Sequence, residues 1–160
     1  MFNPDTAPYA KAFLRLAEPA ARSIGLELIP SRARNDAEFE HAIATLGEQP
    51  GGGLIVLPEA TTNARSALII ALAARHRLPA IYAYRFQVLG GGLISYGVDL
   101  ADSFRAAASY VVRIVTGEKP ADLPVQAPTR FVLVVNYKTA QVLNLTVPTS
   151  ILLRADEVVE

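Results

Sequence analysis

Cysteine is absent from the 160 residues of the sequence. Its absence excludes disulfide bonds, thiolate metal sites and cysteine nucleophiles, but it does not identify the compartment in which the protein works. An excess of charge is lacking too, because 15 lysines and arginines balance 15 aspartates and glutamates. This balance argues against nucleic acid or another polyanion as a partner. No apolar run approaches the roughly 18 residues that a membrane-spanning helix needs.

The N-terminus shows no pattern of a secretory signal. Residues 1–5 read MFNPD, which contains neither a basic segment nor a long apolar one. For the sequence as written we therefore expect a cytoplasmic protein. Apolar types make up 51% of the residues, which is enough for a sizeable core in one domain of this length. We expect residues 1–160 to form a single domain.

Apolar periodicity alternates between helix and strand along the chain. Three- and four-residue spacing predicts helices at residues 7–24, 36–47, 62–75, 99–116 and 137–143. Short apolar runs predict strands at residues 26–29, 54–58, 78–84, 93–96 and 131–135. The run at 54–58 is apolar throughout, which is typical of a strand buried on both faces. Strands separated by helices indicate a Rossmann-like α/β fold, with a mostly parallel sheet and helices on both faces.

Motifs for catalysis, metals and cofactors are lacking. The glycine triplets at 51–53 and 90–92 precede predicted strands, whereas a phosphate-binding loop follows a strand and opens a helix. His41 and His76 have no partner at zinc-ligand spacing, and no G-x-S-x-G motif occurs. We predict no catalytic residue, metal or cofactor and no enzymatic activity. An enzyme on a Rossmann-like sheet remains the third alternative, because fold does not determine function.

Candidate ligand residues follow the predicted strands, since open parallel sheets bind ligands beyond the carboxyl ends of their strands. This set mixes aromatic rings, carboxylates, hydroxyls and one guanidinium, which together suit a small polar or zwitterionic molecule. Arg85 could hold a carboxylate in a bidentate fork, and Glu59 or Asp99 could receive an ammonium group. Several of these residues are equally suited to capping helices. The candidates are Asn3, Asp5, Thr6, Glu59, Thr61, Thr62, Tyr84, Arg85, Phe86, Tyr96 and Asp99.

Six segments carry a family resemblance that spans nearly the whole chain in order. They resemble ABC transporter substrate-binding proteins of the group that includes tryptophan and tyrosine binders. The segments are FNPDT at 2–6, GGLIVLP at 52–58, RLPAIY at 77–82, GGLISYG at 91–97 with Asp99, GEKPADLPVQ at 117–126 and ADEVVE at 155–160.

The resemblance implies one lobe of a type I periplasmic-binding fold. Such proteins trap a small molecule between two Rossmann-like lobes joined by a hinge, and they work outside the cytoplasmic membrane with an ABC transporter permease. This chain resembles their C-terminal half with its hinge-crossing segments, so by this resemblance we expect it to lack the first lobe and the export signal. The implied function is solute binding, with an amino-acid-like or aromatic ligand.

The resemblance also predicts an uncovered helix. The helix at 99–116 would pack on the first lobe, so its stripe of Phe104, Ala108, Val111 and Val115 is expected to be exposed. Exposed apolar patches favour association, which predicts a homodimer that exchanges either this helix or the C-terminal segment. The alternative function is therefore a dimeric interaction or regulatory module that has kept the fold and lost solute binding.

Overall fold

The computed structural model describes residues 1–160. The α-helices are α1 Ala10–Ser23, α2 Asp36–Gly47, α3 Ala60–Ala64, α4 Ser66–Arg75, α5 Arg85–Leu89, α6 Leu100–Val115, α7 Tyr137–Val142 and α8 Thr149–Leu152. The strands are β1 Leu54–Ile55, β2 Ala80–Tyr82, β3 Ile94–Val98, β4 Phe131–Asn136 and β5 Glu157–Val159. A 3₁₀ turn covers Pro120–Asp122, between α6 and β4.

The five strands form one sheet in the order β1-β2-β3-β4-β5. Strands β1, β2 and β3 are parallel, β4 runs antiparallel to β3, and β5 is parallel to β4. The first residues extend the sheet beyond β1, because the Met1 amino group donates to the Ile55 carbonyl at 2.5 Å and Leu57 N–H donates to the Met1 carbonyl at 3.1 Å. The predicted mostly parallel α/β class is confirmed.

Most of the hydrophobic core lies on one face of the sheet. Phe39 and Ile43 of α2 and Ile69 of α4 are completely buried there. They pack in one cluster with Leu54 of β1 and Tyr82 of β2. We call this side of the sheet the core face. A smaller cluster, in which Ala10 of α1 packs with Phe2 and Ala7, lies on the other side of the N-terminal segment. Helices therefore cover both sides, but unequally.

Two of the predicted helix starts are confirmed by their caps. The Asn35 side chain accepts a hydrogen bond from Glu38 N–H at 3.0 Å, and the Asp99 carboxylate accepts one from Asp102 N–H at 3.2 Å. Such caps satisfy amide groups that have no partner inside the helix. The helix predicted at 62–75 is instead two helices, α3 and α4, which meet at Arg65.

The strand predicted at residues 26–29 was wrong. Leu26 and Ile29 are each 57% exposed and belong to no strand. A strand needs a neighbouring backbone for its ladder, and the nearest one, at Phe2, forms an isolated parallel bridge with Arg32 instead. The segment at 26–29 therefore has no ladder partner.

The prediction that both faces of residues 54–58 are buried was also wrong. Leu54 and Val56 are buried on the core face, but Ile55 is 51% exposed on the opposite one. Helices α2 and α4 cover the first face, whereas on the opposite face only Leu57 packs against the small cluster that contains Ala10 of α1. The stripe predicted for the helix at 99–116 is exposed as expected, and α6 contains no buried residue. None of the helices combines the length and apolarity that crossing a bilayer would require.

Candidate ligand-binding rim

The loop after β1 is organised by one carboxylate. Glu59 takes an extended conformation at the N-cap of α3, where its Oε1 accepts a hydrogen bond from Thr62 N–H at 2.8 Å and its Oε2 accepts one from Thr61 N–H at 2.6 Å. Thr62 completes a capping box and is itself fully buried, with its hydroxyl donating to the Leu57 carbonyl at 2.7 Å. Thr62 is therefore a structural member of this loop.

The N-terminal loop is joined to the same carboxylate. The Thr6 hydroxyl donates to Glu59 Oε2 at 2.6 Å, and Asn3 N–H donates to Glu59 Oε1 at 3.3 Å. The Asn3 side-chain amide donates to the Thr61 hydroxyl at 3.0 Å. The carboxyl end of β1 and the residues after the first extended segment therefore meet, as the rule for parallel sheets predicts. We call Asn3, Thr6, Glu59 and Thr61 the polar network.

The ionisation of Glu59 reflects these contacts. Burial alone would raise the pKa of this carboxyl group, since the residue is only 4% exposed. The hydrogen bonds from Thr6, Thr61, Thr62 and Asn3 outweigh burial and hold the pKa below its ordinary value. Glu59 is therefore a carboxylate at neutral pH, but its oxygen atoms already accept four donors.

Tyr9 joins the rim, although the sequence analysis did not select it. Its hydroxyl donates to the Pro58 carbonyl, and its ring lies 5.7 Å from that of Phe13 in a tilted arrangement. Burial, then Glu59, then Tyr84 raise the pKa of the Tyr9 hydroxyl, which places Tyr9 near both of these residues. The candidates predicted in this loop end at Thr6. An aromatic side chain just before α1 was the signal that could have added Tyr9 to them.

The loop after β2 contributes an aromatic pair. The rings of Tyr84 and Phe86 stack with centroids 5.7 Å apart and planes 16° from parallel. Gln87, which is buried, fixes the loop by accepting a hydrogen bond from Tyr84 N–H at 3.1 Å. Phe86 remains 48% exposed, so its ring is available to a ligand.

Arg85 lies between these two rings in sequence, but its side chain is already paired. The guanidinium holds the Glu157 carboxylate in a bidentate fork, with Nε to Oε2 at 2.5 Å and the second nitrogen to Oε1 at 2.8 Å. The hydrogen bond from Arg85 lowers the pKa of Glu157. A ligand carboxylate would have to compete with Glu157 for this fork.

Tyr96 does not follow a strand, contrary to the prediction. It lies inside β3, which continues to Val98, and its ring stacks on Phe131 of β4 at 5.7 Å. Gly97 lets the strand continue, because a Cβ atom there would lie 1.9 Å from the Ala83 carbonyl oxygen. Asp99 does follow β3, where it caps α6 and lies 3.4 Å from the Arg130 guanidinium.

Asp5 lies at the outer edge of the N-terminal loop. Its N–H donates to the Asn3 side-chain oxygen at 2.9 Å, and its carboxylate accepts a hydrogen bond from Arg34 Nε at 3.1 Å. The structure therefore brings the polar network, Tyr9 and Tyr84 together. Arg85, Tyr96 and Asp99 are engaged with partners from β4 and β5 or the residues beside them. No group of three His, Asp or Glu side chains is placed to hold a metal ion.

The comparisons with known proteins agree on one relationship. A family model described as ABC transporter substrate binding protein matches residues 1–159. No curated protein matches the sequence. A solved structure of a conserved domain protein from Vibrio cholerae is 26% identical, with a TM-score of 0.84, over 98% of this chain and 52% of that one.

Two further solved structures share the fold. An ABC domain from Streptococcus pneumoniae in complex with L-Trp is 24% identical, with a TM-score of 0.80, over 94% of this chain and 52% of that one. The ligand-free, open structure of a substrate binding protein with adhesive properties from Clostridium difficile is 18% identical, with a TM-score of 0.66. The match covers 94% of this chain and 50% of that one. The chain thus spans about half the length of these structures.

Proposed function

Because the chain belongs to the ABC transporter substrate binding protein family, we propose that it binds a small solute at the rim built by the polar network, Tyr9, Tyr84 and Phe86. The family is one of binding proteins, and the proposed role is capture of a solute rather than its conversion. The observation that carries the proposal is the meeting of hydroxyl and amide groups with aromatic rings at the carboxyl ends of neighbouring parallel strands.

The proposed ligand class follows from the aromatic rings and hydroxyl groups at the rim. The exposed Phe86 ring, backed by Tyr84, offers a stacking surface for a flat ring. The hydroxyls of Thr6 and Thr61 are joined to Glu59 and Asn3 in the polar network, and each oxygen can accept a further hydrogen bond. An amino-acid-like or aromatic molecule fits this combination, and the relative from Streptococcus pneumoniae, which was solved with L-Trp, supports the same class.

The rim forms one wall of the proposed site. The chain covers about half of the length of its solved relatives. We infer that it corresponds to a C-terminal lobe with its hinge-crossing segments, and that a second lobe would supply the facing wall. A ligand held from one side forms fewer contacts and binds more weakly. The proposed setting is that of the family, outside the cytoplasmic membrane and in contact with a transporter permease.

Titration with L-Trp tests this function directly. The protein contains no tryptophan, so indole fluorescence would report the ligand alone. We expect a saturable change in that fluorescence and a matching rise in melting temperature, because a ligand that binds only the folded state stabilises it. A panel of amino acids and small aromatic acids in the melting assay would then define the ligand class.

Phe86→Ala is the informative variant, and Val142→Ala is its control. Removal of the exposed ring should weaken binding about 10-fold, since ring stacking and burial of the ring are both lost. Val142 is 65% exposed on α7, away from the rim, so its replacement should leave binding unchanged. Absence of a melting shift across the whole panel would exclude the solute-binding role for this chain.

The internal pairing of charged side chains favours a second candidate function. Glu59 and Arg85, the groups best suited to an ammonium and a carboxylate, are both saturated by protein partners. A module that has kept the fold without solute binding, and that acts through its surface, would show this arrangement. A self-associating protein that no solute stabilises would support this alternative.

A further inference from the structure

The hydroxyl protons of the polar network are directed toward one carboxylate. A threonine hydroxyl carries a single proton, and that of Thr6 lies on Glu59 Oε2, with the two oxygen atoms 2.6 Å apart. Thr6 has no proton left for its 3.1 Å contact with Thr61, so the Thr61 hydroxyl is the donor in that contact. Both protons therefore point inward, from Thr61 to Thr6 and from Thr6 to Glu59. We call Thr6 and Thr61 the hydroxyl pair.

The oxygen atoms of the hydroxyl pair keep acceptor sites but no donor. Each hydroxyl oxygen can accept two hydrogen bonds. Thr6 accepts one from Thr61, and Thr61 accepts one from the Asn3 side-chain amide at 3.0 Å. The second proton of that amide belongs to a residue that is only 7% exposed, whereas Thr6 is exposed and Thr61 half-buried. Toward solvent, the hydroxyl pair therefore presents one acceptor site on each oxygen.

Tyr9 has the same polarity. Its hydroxyl proton is donated to the Pro58 carbonyl, which leaves the phenolic oxygen as an acceptor. The side chain is 37% exposed. The three hydroxyl oxygens of this part of the rim are therefore all acceptors toward a ligand.

The start of α3 does not offer donors to an anion. The Thr61 and Thr62 N–H groups both donate to Glu59, at 2.6 Å and 2.8 Å. With the bonds from Thr6 and from Asn3 N–H, all four acceptor sites of this carboxylate are filled, but its negative charge remains directly behind the hydroxyl pair. An anion placed on the pair would be repelled by that charge, and a cation would be attracted to it.

The two arginines near the rim are held by carboxylates of the protein. The Arg34 Nε atom lies 3.1 Å from Asp5, and Arg85 forms its bidentate fork with Glu157. A ligand carboxylate would have to displace one of these partners. The charges and the hydrogen-bonding sites of the polar network thus favour the same kind of ligand group, a cationic donor.

We propose that the hydroxyl pair and Tyr9 receive the ammonium group of an aromatic solute, and that a solute carboxylate binds elsewhere. The inference rests on the proposed solute-binding function and adds the chemistry of the polar end of the ligand. An ammonium group supplies a positive charge and three N–H donors. Two oxygens that are 3.1 Å apart can share one of these donors in a three-centre hydrogen bond.

Three indole compounds separate the two ends of the ligand. L-Trp carries an ammonium group and a carboxylate, tryptamine lacks the carboxylate, and indole-3-propionate lacks the ammonium group. Indole fluorescence reports the binding of each compound, because the chain contains no tryptophan. We expect tryptamine to bind about as tightly as L-Trp. Indole-3-propionate should bind at least about 10-fold more weakly, since it has no charged donor for the hydroxyl pair.

Thr61→Val assigns this preference to the hydroxyl pair. Valine keeps the shape of the side chain and removes its oxygen, so L-Trp and tryptamine should bind about 10-fold more weakly, while indole-3-propionate should bind as before. Thr61→Ser keeps the hydroxyl and should retain the binding of all three compounds. The matched control Thr116→Val removes an exposed hydroxyl at the C-terminal end of α6 and should change none of them.

The outcomes distinguish this inference from the function on which it rests. Binding of L-Trp together with equal binding of tryptamine and indole-3-propionate would keep the solute-binding function and overturn the ammonium assignment. Equal losses for all three compounds in Thr61→Val would also overturn it, because they would indicate a general structural effect. Absence of binding by every compound would reject both the function and the assignment.

Discussion

In a protein that begins at Met1, the buried amino group makes stability depend on pH in a defined direction. The Met1 amino group is buried beside β1, where its nitrogen contacts the Ile55 carbonyl oxygen at 2.5 Å. Burial lowers the pKa of this group from 8.0 to about 5, and the nearby Glu59 carboxylate offsets only part of the effect. Acetylation of the amino terminus is the perturbation, because it removes the titrating proton and keeps an N–H donor.

The sign follows from proton binding in the two states. Between pH 5 and pH 8 the unfolded chain binds a proton at Met1 that the folded chain does not bind, so the free energy of unfolding falls as pH falls from 8 to 5. A pKa difference of this size corresponds to about 4 kcal/mol when the full range is crossed. Acetylation should abolish this part of the pH dependence.

Urea unfolding at pH 8 and pH 5 measures the effect in both forms. For each form we compare the free energy of unfolding at pH 8 with that at pH 5. Any destabilisation by the acetyl group that does not depend on pH therefore cancels. All other titrating groups are shared and cancel as well. The free-amine protein should lose about 4 kcal/mol more than the acetylated protein over this interval. Equal losses in the two forms would refute the reasoning.

Two further predictions concern packing. Phe39→Ala should lower the free energy of unfolding by about 3–5 kcal/mol, because the ring is completely buried in the core. Leu153→Ala, at an 83% exposed position, should change it by less than about 0.5 kcal/mol. Urea unfolding of both variants measures the difference, and similar losses would contradict the described core. Gly97→Ala should lower the free energy of unfolding by about 3 kcal/mol or more, since the new Cβ would lie 1.9 Å from the Ala83 backbone oxygen. Thermal melting measures the effect, and an unchanged melting temperature of the G97A protein would exclude this close approach.

Local patterns predicted most of the fold because their causes are local. The Asn35 and Asp99 caps depend on residues three positions away, and the alternation of helices and strands depends on apolar spacing. The predicted family resemblance and α/β class are both confirmed. Burial was harder to predict, because an apolar strand does not reveal how many of its faces a helix covers. Ile55 is exposed for this reason.

The structure brings together the candidate residues whose placement depends on strand ends, whereas the pairing of other candidates with distant partners was not predicted. Asn3, Thr6, Glu59 and Thr61 meet because the carboxyl ends of parallel strands lie at one edge. The pairing of Arg85 with Glu157 joins residues 72 positions apart, and no local signal in the sequence announces it. Which of the rim residues bind a ligand stays a prediction.

The reversal of direction between β3 and β4 makes the intervening segment separable from the sheet. Val98 and Phe131 are antiparallel partners, so the chain leaves and re-enters at adjacent points. The next pair, Asp99 and Arg130, is hydrogen-bonded, since Asp99 N–H donates to the Arg130 carbonyl, and a two-residue turn is sufficient to close such a pair. Replacement of residues 100–129 by Asn-Gly should therefore yield a continuous β-hairpin on an otherwise intact sheet, so this segment could be exchanged for others of different length or sequence.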